Sequence, residues 1–305
     1  MTENLKRLPD NPERSARARL ALEGLSVGDA FGQQFFFPWI VERADENCLP
    51  APRWNYTDDT EMAIGIIQVL EEAGEIDQAR LAKRFAERYL AEPDRGYGAG
   101  AIDLLKRMAE GIHWTDASRE LFSGSGSFGN GAAMRAAPIG AWYAGEPDTI
   151  IHQAALSAEV THSHVEGKAG AIAVALAASW AHEWRQAARK PPATELLTST
   201  AERLPKSEVR RGIEQAANIP LKTWPFEVAS ELGCGHQITA QDTVPFCLWL
   251  AAGQLKNYCT AMWTTARIGG DIDTNCAIVG GIVALATGPD GVPDQWRAHR
   301  EALRW

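Results

Sequence analysis

Residues 165–184 read VEGKAGAIAVALAASWAHEW, with Ala, Leu and charged side chains returning every three or four positions, the period of a helix. Its many alanines imply close packing on neighbouring helices. Outward from this stretch, residues 80–90, 98–110 and 243–252 repeat the pattern, and no segment alternates polar and apolar residues as a half-buried strand would. Gly and Pro (Gly74, Pro93, Gly111, Pro138, Pro147, Pro205, Pro220, Pro225, Gly233) cut the chain into helices of about 10 to 20 residues joined by short loops. The expected class is therefore all-α. No repeat period is visible. The polar, Pro-containing stretch 187–200 (AARKPPATELLTST) lies between helical segments of like composition, so it is expected to be a surface loop within one domain spanning 1–305, with 1–14 a loose N-terminal tail.

The chain has 305 residues, 45% hydrophobic and 23% charged, enough to bury a substantial core. Its net charge of −9 and pI near 5.4 argue against a broad basic face for a nucleic-acid backbone. A small anion would need local cations, helix N-termini or a bound metal. Five cysteines (Cys48, Cys234, Cys247, Cys259, Cys276), odd in number and widely separated, suggest neither a disulfide framework nor a CxxC site. The first twenty residues lack an apolar signal core, and the longest apolar run, 169–180, is too short to span a membrane. A cytoplasmic, monomeric protein without a membrane partner is expected.

Chemistry concentrates where loops meet helix starts. WNYTDDT, 54–60, runs directly into a helical pattern, and a cap alone would explain it, because Thr57 is a good N-cap and Asp58 and Asp59 suit the positive end of a helix dipole. GGDIDT, 269–274, repeats the arrangement far along the chain. Two unrelated caps would rarely both set carboxylates beside Thr, whereas a hard divalent cation wants such an oxygen set. Thr57, Asp58, Asp59, Asp271, Asp273 and Thr274 would serve two Mg²⁺ ions about 3.5 to 4 Å apart, with Mn²⁺ as a substitute. LFSGSGSFGNGAAMR, 121–135, can turn several N–H groups inward ahead of a helical stretch, and so fits a phosphate or diphosphate. It is neither a Walker loop nor a Rossmann fingerprint. Phe122 and Phe128 flank it and could stack on a purine.

These residues resemble the ADP-ribosylglycohydrolases, or ADP-ribosyl-acceptor hydrolases. The matching segments are GLSVGDAFG (24–32), WNYTDDT, GSFGNGAAMR with VTHSH (160–164), and GGDIDT. They occur in the family's order and reach from about residue 17 to 288. PDRGYGAGA (93–101) and SELGCG (230–235) are similar to the branch of the serine-ADP-ribose and poly(ADP-ribose) hydrolase. The resemblance implies a compact orthogonal multi-helix bundle, with the six residues above as ligands of two Mg²⁺ ions. It further implies that Gly126, Ser127, Phe128, Gly129 and Asn130 hold the diphosphate, that Phe122 and Phe128 sandwich adenine, and that His162 faces the diphosphate or distal ribose. A buried, hydrogen-bonded core role would otherwise suffice for His162.

The implied reaction removes ADP-ribose from a modified acceptor by hydrolysis at the acceptor-side ribose, through a metal-activated water. Asp59 or Asp271 would take its proton. Asp94 is a further candidate for contacting the scissile ribose, unless it merely caps the next helix. A non-catalytic ADP-ribose binder and a two-metal phosphohydrolase are the rival readings. The chain departs from the pattern at Ile272, between the two aspartates, and at Phe36, where several members carry a metal-binding glutamate; Glu42 is too far along to replace it. With Phe36 there, slower cleavage of serine-linked ADP-ribose is expected. Serine, arginine, another ADP-ribose, an acetyl ester or a base all fit as acceptor.

Overall fold

Every regular element among the described residues is helical, and β pairing is confined to single bridges such as Gly129 with Thr239 and Trp54 with Arg300. The computed structural model describes residues 11–41, 44, 45 and 48–305, so the first ten residues and Glu42 lie outside it. Of the expected tail, residues 12–14 already belong to the first helix, Pro12–Gln34, which Asn11 caps through Arg14 N–H. The helical segments read from periodicity are present as Gln78–Ala91, Ala99–Ala109, Val165–Gln186 and Ala240–Gly253. The stretch 187–200 is shorter as a loop than expected. Helix Glu195–Arg203 begins inside it and buries Leu196, Leu197, Thr200 and Ala201 on one face, an apolar stripe that outweighs the polar composition around it.

The molecule is organised on one central helix pair. Pro12–Gln34 lies against Ile272–Thr287 more extensively than any other two helices meet, and three glycines four residues apart set the distance. A Cβ on Gly24 would fall 2.3 Å from Gly280 O, one on Gly28 2.3 Å from Cys276 O, and one on Gly32 2.7 Å from Ile272 O. Only hydrogen fits along this seam. The close approach carries Asp29, on the first helix, to the start of the second, where Asp273 sits. Around the pair, Ala137–Trp142, Val165–Gln186 and Ala240–Gly253 complete one continuous buried core. No helix among the described residues is long and apolar enough to cross a membrane.

The segment leading into the Asp58 helix is fixed from the far end of the chain. Trp54 is fully buried against Phe31, Trp296 and His299, and its backbone exchanges bonds with His299 O at 2.8 Å and Glu301 N at 2.9 Å. Glu301 then accepts from Tyr56 N at 3.1 Å and pairs with Arg95. Arg95 O in turn accepts from Asp58 N at 2.8 Å. The acidic helix start is therefore clamped on both flanks before any ligand arrives.

Candidate active site

Helix Asp58–Ala73 starts without a cap of its own. Thr57 occupies the N-cap position but makes no side-chain cap bond. Asp29 supplies the acceptor from the neighbouring helix, taking Thr57 N at 2.9 Å, Thr57 Oγ1 at 2.8 Å and Thr60 N at 3.2 Å. A fully buried carboxylate thus satisfies the orphan donors of that first turn, which leaves Asp58 and Asp59 free of capping duty. The second start, helix Ile272–Thr287, is similar in that Asp271 at its N-cap makes no side-chain cap bond. Gly270 before it holds φ +74°, and a Cβ there would lie 1.9 Å from Cys234 O. The tight turn therefore requires glycine.

The two starts meet. Asp29, Asp59 and Asp273 each offer an oxygen within 4.8 Å of the others, and Asp58, Asp59, Asp271, Asp273 and Thr274 line one cavity of about 490 Å³. Thr57 stands just behind that wall, buried, with Oγ1 3.1 Å from Asp59 Oδ2. Burial pushes Asp58 up to about 7, helped by the Asp29 and Asp271 charges, and burial pushes Asp29 up to about 6. Asp59, Asp271 and Asp273 are raised as well, by burial first; for Asp59 and Asp273 the repulsion of neighbouring carboxylates comes next. Asp59 Oδ1 is buried with no hydrogen-bond partner. Converging carboxylates with an orphaned oxygen fit a divalent cation.

Asp29 was quoted within its motif but not assigned a role from the sequence. Although geometry places it in the carboxylate cluster, both its oxygens are already spent on the Thr57 and Thr60 donors. It positions the first-turn acids more readily than it ligates.

The glycine loop forms the opposite side of the cavity, with Ser127, Phe128, Gly129, Asn130 and Gly131 in its lining. Gly126 holds φ +72°, and a Cβ there would lie 2.1 Å from Ser163 Oγ. The N–H groups of Ser127 and Phe128 find no acceptor among the described residues. The loop holds a single 3₁₀ turn, Asn130–Ala132, and the expected helix follows as Ala137–Trp142, but its start lies outside the cavity lining, so a helix dipole contributes little here. Positive character comes instead from the loop N–H groups and from Arg135, which with His162 shares the cavity wall. Asn130 has a second use. Its amide donates to Asp271 Oδ2 at 2.7 Å and Thr243 Oγ1 at 3.1 Å, tying the loop to the second acidic start.

Three expected roles change on inspection. Phe122 and Phe128 touch each other, with ring centroids 5.8 Å apart at 41°, whereas two rings flanking a base need about 7 Å, two stacking gaps. The reason is local: 121–123 leave the helix of 114–124, with Phe122 at φ +52° and Ser123 at φ +59°, turning Phe122 outward to 57% exposure. As it stands the pair offers one aromatic surface and no slot. Asp94 is exposed and outside the cavity lining, and it does not cap the next helix, whose N-cap is Gly98. The turn it belongs to presents Gly96 to Asp58 instead, where an added Cβ would lie 3.9 Å from Asp58 Oδ1. Phe36 is 47% exposed and likewise outside the lining.

The all-helical bundle has a solved counterpart. An ADP-ribosylglycohydrolase-related protein complex superposes with a TM-score of 0.66 at 24% identity, over 95% of this chain and 94% of that one, a likeness of fold. Residues 10–304 match the ADP-ribosylglycohydrolase family model, and the chain belongs to that family. Among its relatives are ADP-ribosylhydrolase ARH3 of Gallus gallus, 32% identical over 95% of this chain and 90% of the relative. ARH3 of Homo sapiens is 31% identical over 81% and 74%. The ADP-ribosyl-[dinitrogen reductase] glycohydrolase of Rhodospirillum rubrum is 23% identical over 93% and 90%.

Proposed function

We propose that the chain hydrolyses ADP-ribose from a modified acceptor, breaking the glycosidic bond at the acceptor-side ribose. The observation that supports this most is the meeting of two uncapped acidic helix starts, with Asp59 Oδ1 unpartnered, across one cavity from a loop with free N–H groups. Thr57, Asp58, Asp59, Asp271, Asp273 and Thr274 would hold two Mg²⁺ ions. When bound, these would supply Lewis acidity at the ribose hydroxyls and acidify a water. Ser127 and Phe128 N–H, Gly126, Gly129 and His162 bind the diphosphate, and the Phe122–Phe128 surface takes the adenine. Asp59 or Asp271 accepts the proton of the attacking water. That no disulfide joins the five cysteines supports a reducing compartment, in line with the cytoplasm.

The deciding experiment is a screen of serine-, arginine- and poly-linked ADP-ribose conjugates with Mg²⁺, reading the product. Free ADP-ribose is expected. AMP with ribose phosphate would assign the chain to diphosphate hydrolysis instead, and binding without turnover would make it a non-catalytic relative. The same screen identifies the acceptor, and because Phe36 lies outside the cavity lining it gives no ground for slow cleavage of the serine conjugate.

Metal binding should also appear in thermal melts. Raised carboxyl pKa values mean that the metal-free folded chain holds more protons than the unfolded chain between about pH 4 and 7. The cluster therefore leaves stability intact at low pH and erodes it as pH rises through 6 and 7, the values reached by Asp29 and Asp58. Saturating Mg²⁺ should raise Tm by about 5 °C or more near neutrality. The gap between Mg²⁺ and chelator should widen from pH 5 to pH 8. No gap at pH 8 would remove the metal site from consideration.

Single-ring truncations separate the adenine surface from the carboxylates. Phe128→Ala should weaken ADP-ribose binding about tenfold by calorimetry, and Phe122→Ala less, because its ring is more exposed. Equal affinity of native chain and Phe128→Ala would place the base elsewhere.

A further inference from the structure

Arg135 is fully buried and touches no carboxylate, although the Asp58 charge acts on it from a distance. None of the ion pairs among the described residues includes it. Its Nη1 donates to Gly131 O at 3.0 Å and lies 3.4 Å from Met62 Sδ, its Nη2 donates to Ser157 O at 3.2 Å and Thr161 Oγ1 at 2.8 Å, and its plane rests on Phe85 at 4.6 Å. Nε has no partner. A guanidinium so placed is expensive to bury, and core packing alone would be served by an apolar side chain.

The next links give it a use. Thr161 Oγ1 lies 2.7 Å from His162 Nδ1. Arg can only donate, so Thr161 Oγ1 accepts from Nη2, and its own proton is free to go to His162 Nδ1. A ring whose Nδ1 accepts carries its single proton on Nε2. The ring is seated among glycines, because a Cβ on Gly131 would lie 3.1 Å from Nε2, one on Gly129 3.3 Å from Nε2, and one on Gly167 2.9 Å from the His162 Cβ. Nε2 has no protein partner among the described residues and faces the glycine loop that borders the cavity.

On the footing of the ADP-ribose function just given, we propose that Arg135 and Thr161 are positioning residues that hold His162 as the Nε2–H tautomer, a fixed neutral donor to the diphosphate. Burial and the Arg135 charge push His162 down to about 3, which agrees with a ring that stays neutral. Positive charge for the anion then comes from a cation one residue removed, which never has to be desolvated on binding. The arrangement separates charge from contact: Arg135 supplies the field, and His162 supplies the directed hydrogen bond.

The test is a two-bond proton–nitrogen spectrum of the full chain, without ligand, for native protein, Thr161→Val and Thr161→Ser. Native and Thr161→Ser should show His162 Nδ1 unprotonated and Nε2 protonated. Thr161→Val should show mixed tautomers and bind ADP-ribose about tenfold more weakly, with Thr161→Ser restoring affinity. A native spectrum with the proton on Nδ1 overturns the proposal whether or not Thr161→Val folds, and so does a Thr161→Val tautomer identical to native. The expected native tautomer in a chain that fails to bind ADP-ribose would uphold the relay and overturn the ADP-ribose function.

Discussion

Asp58→Asn and Asp271→Asn, made singly, will each slow hydrolysis of an ADP-ribosyl conjugate by at least about a hundredfold, and the double variant will be little slower than either. The carboxylates sit on the first turns of two helices that converge on one cavity. Asparagine keeps the shape and removes a charge, so the fold should persist while the cation affinity falls. Once one carboxylate is lost the pair no longer holds its ions, and a second loss has little left to remove. Initial rates with saturating Mg²⁺ give the check. Losses that multiply would mean that the two helix starts act separately.

Gly28→Ala will be strongly destabilising, a single methyl placed in the chain's central contact. The new Cβ would stand 2.3 Å from Cys276 O and 2.9 Å from its carbonyl carbon, and backbone cannot swing aside as a flexible side chain can. Separating the two helices should cost about 3 kcal/mol or more, a fall in Tm of about 6 °C or more. Gly100→Ala is the control. A Cβ there meets nothing within 4 Å, and its helical position should make the change neutral or slightly stabilising. If Gly28→Ala melts with the native protein, the helices are not held at the distance described.

The glycine spacing that makes this seam was on view in GLSVGDAFG, yet a sequence shows which residues are small and not what approaches them. Gly24, Gly28 and Gly32 acquire their meaning only beside Cys276, Gly280 and Ala284, which carry the matching four-residue interval. Helix period and the two acidic starts were legible because each is local. Asp29 was not, because its partners Thr57 and Thr60 lie on another helix; capping was foreseen for Thr57, and the cap came from elsewhere in space. Asp94 and Phe122 show the converse limit. A turn leaves Asp94 exposed and outside the cavity lining, and a left-handed backbone leaves Phe122 in the lining but against Phe128 with no slot between the rings, and neither bend is encoded by residue type alone. Arg135 was read as the last letter of the glycine motif. That it is buried with no carboxylate in contact could be learned only from the residues folded around it.

The central helix pair also dictates when the protein can become functional during its own synthesis. Residues 24–32 leave the ribosome well ahead of 272–284, which they must touch, and of Glu301, which fixes Tyr56. Contacts of such sequence separation form slowly, and the nascent chain meanwhile shows an unpaired apolar face to solvent. The carboxylates of residues 58 and 59 therefore wait for their counterparts until residues 271 and 273 have been made, and a chain lacking these should bind neither metal nor nucleotide and should depend on chaperones.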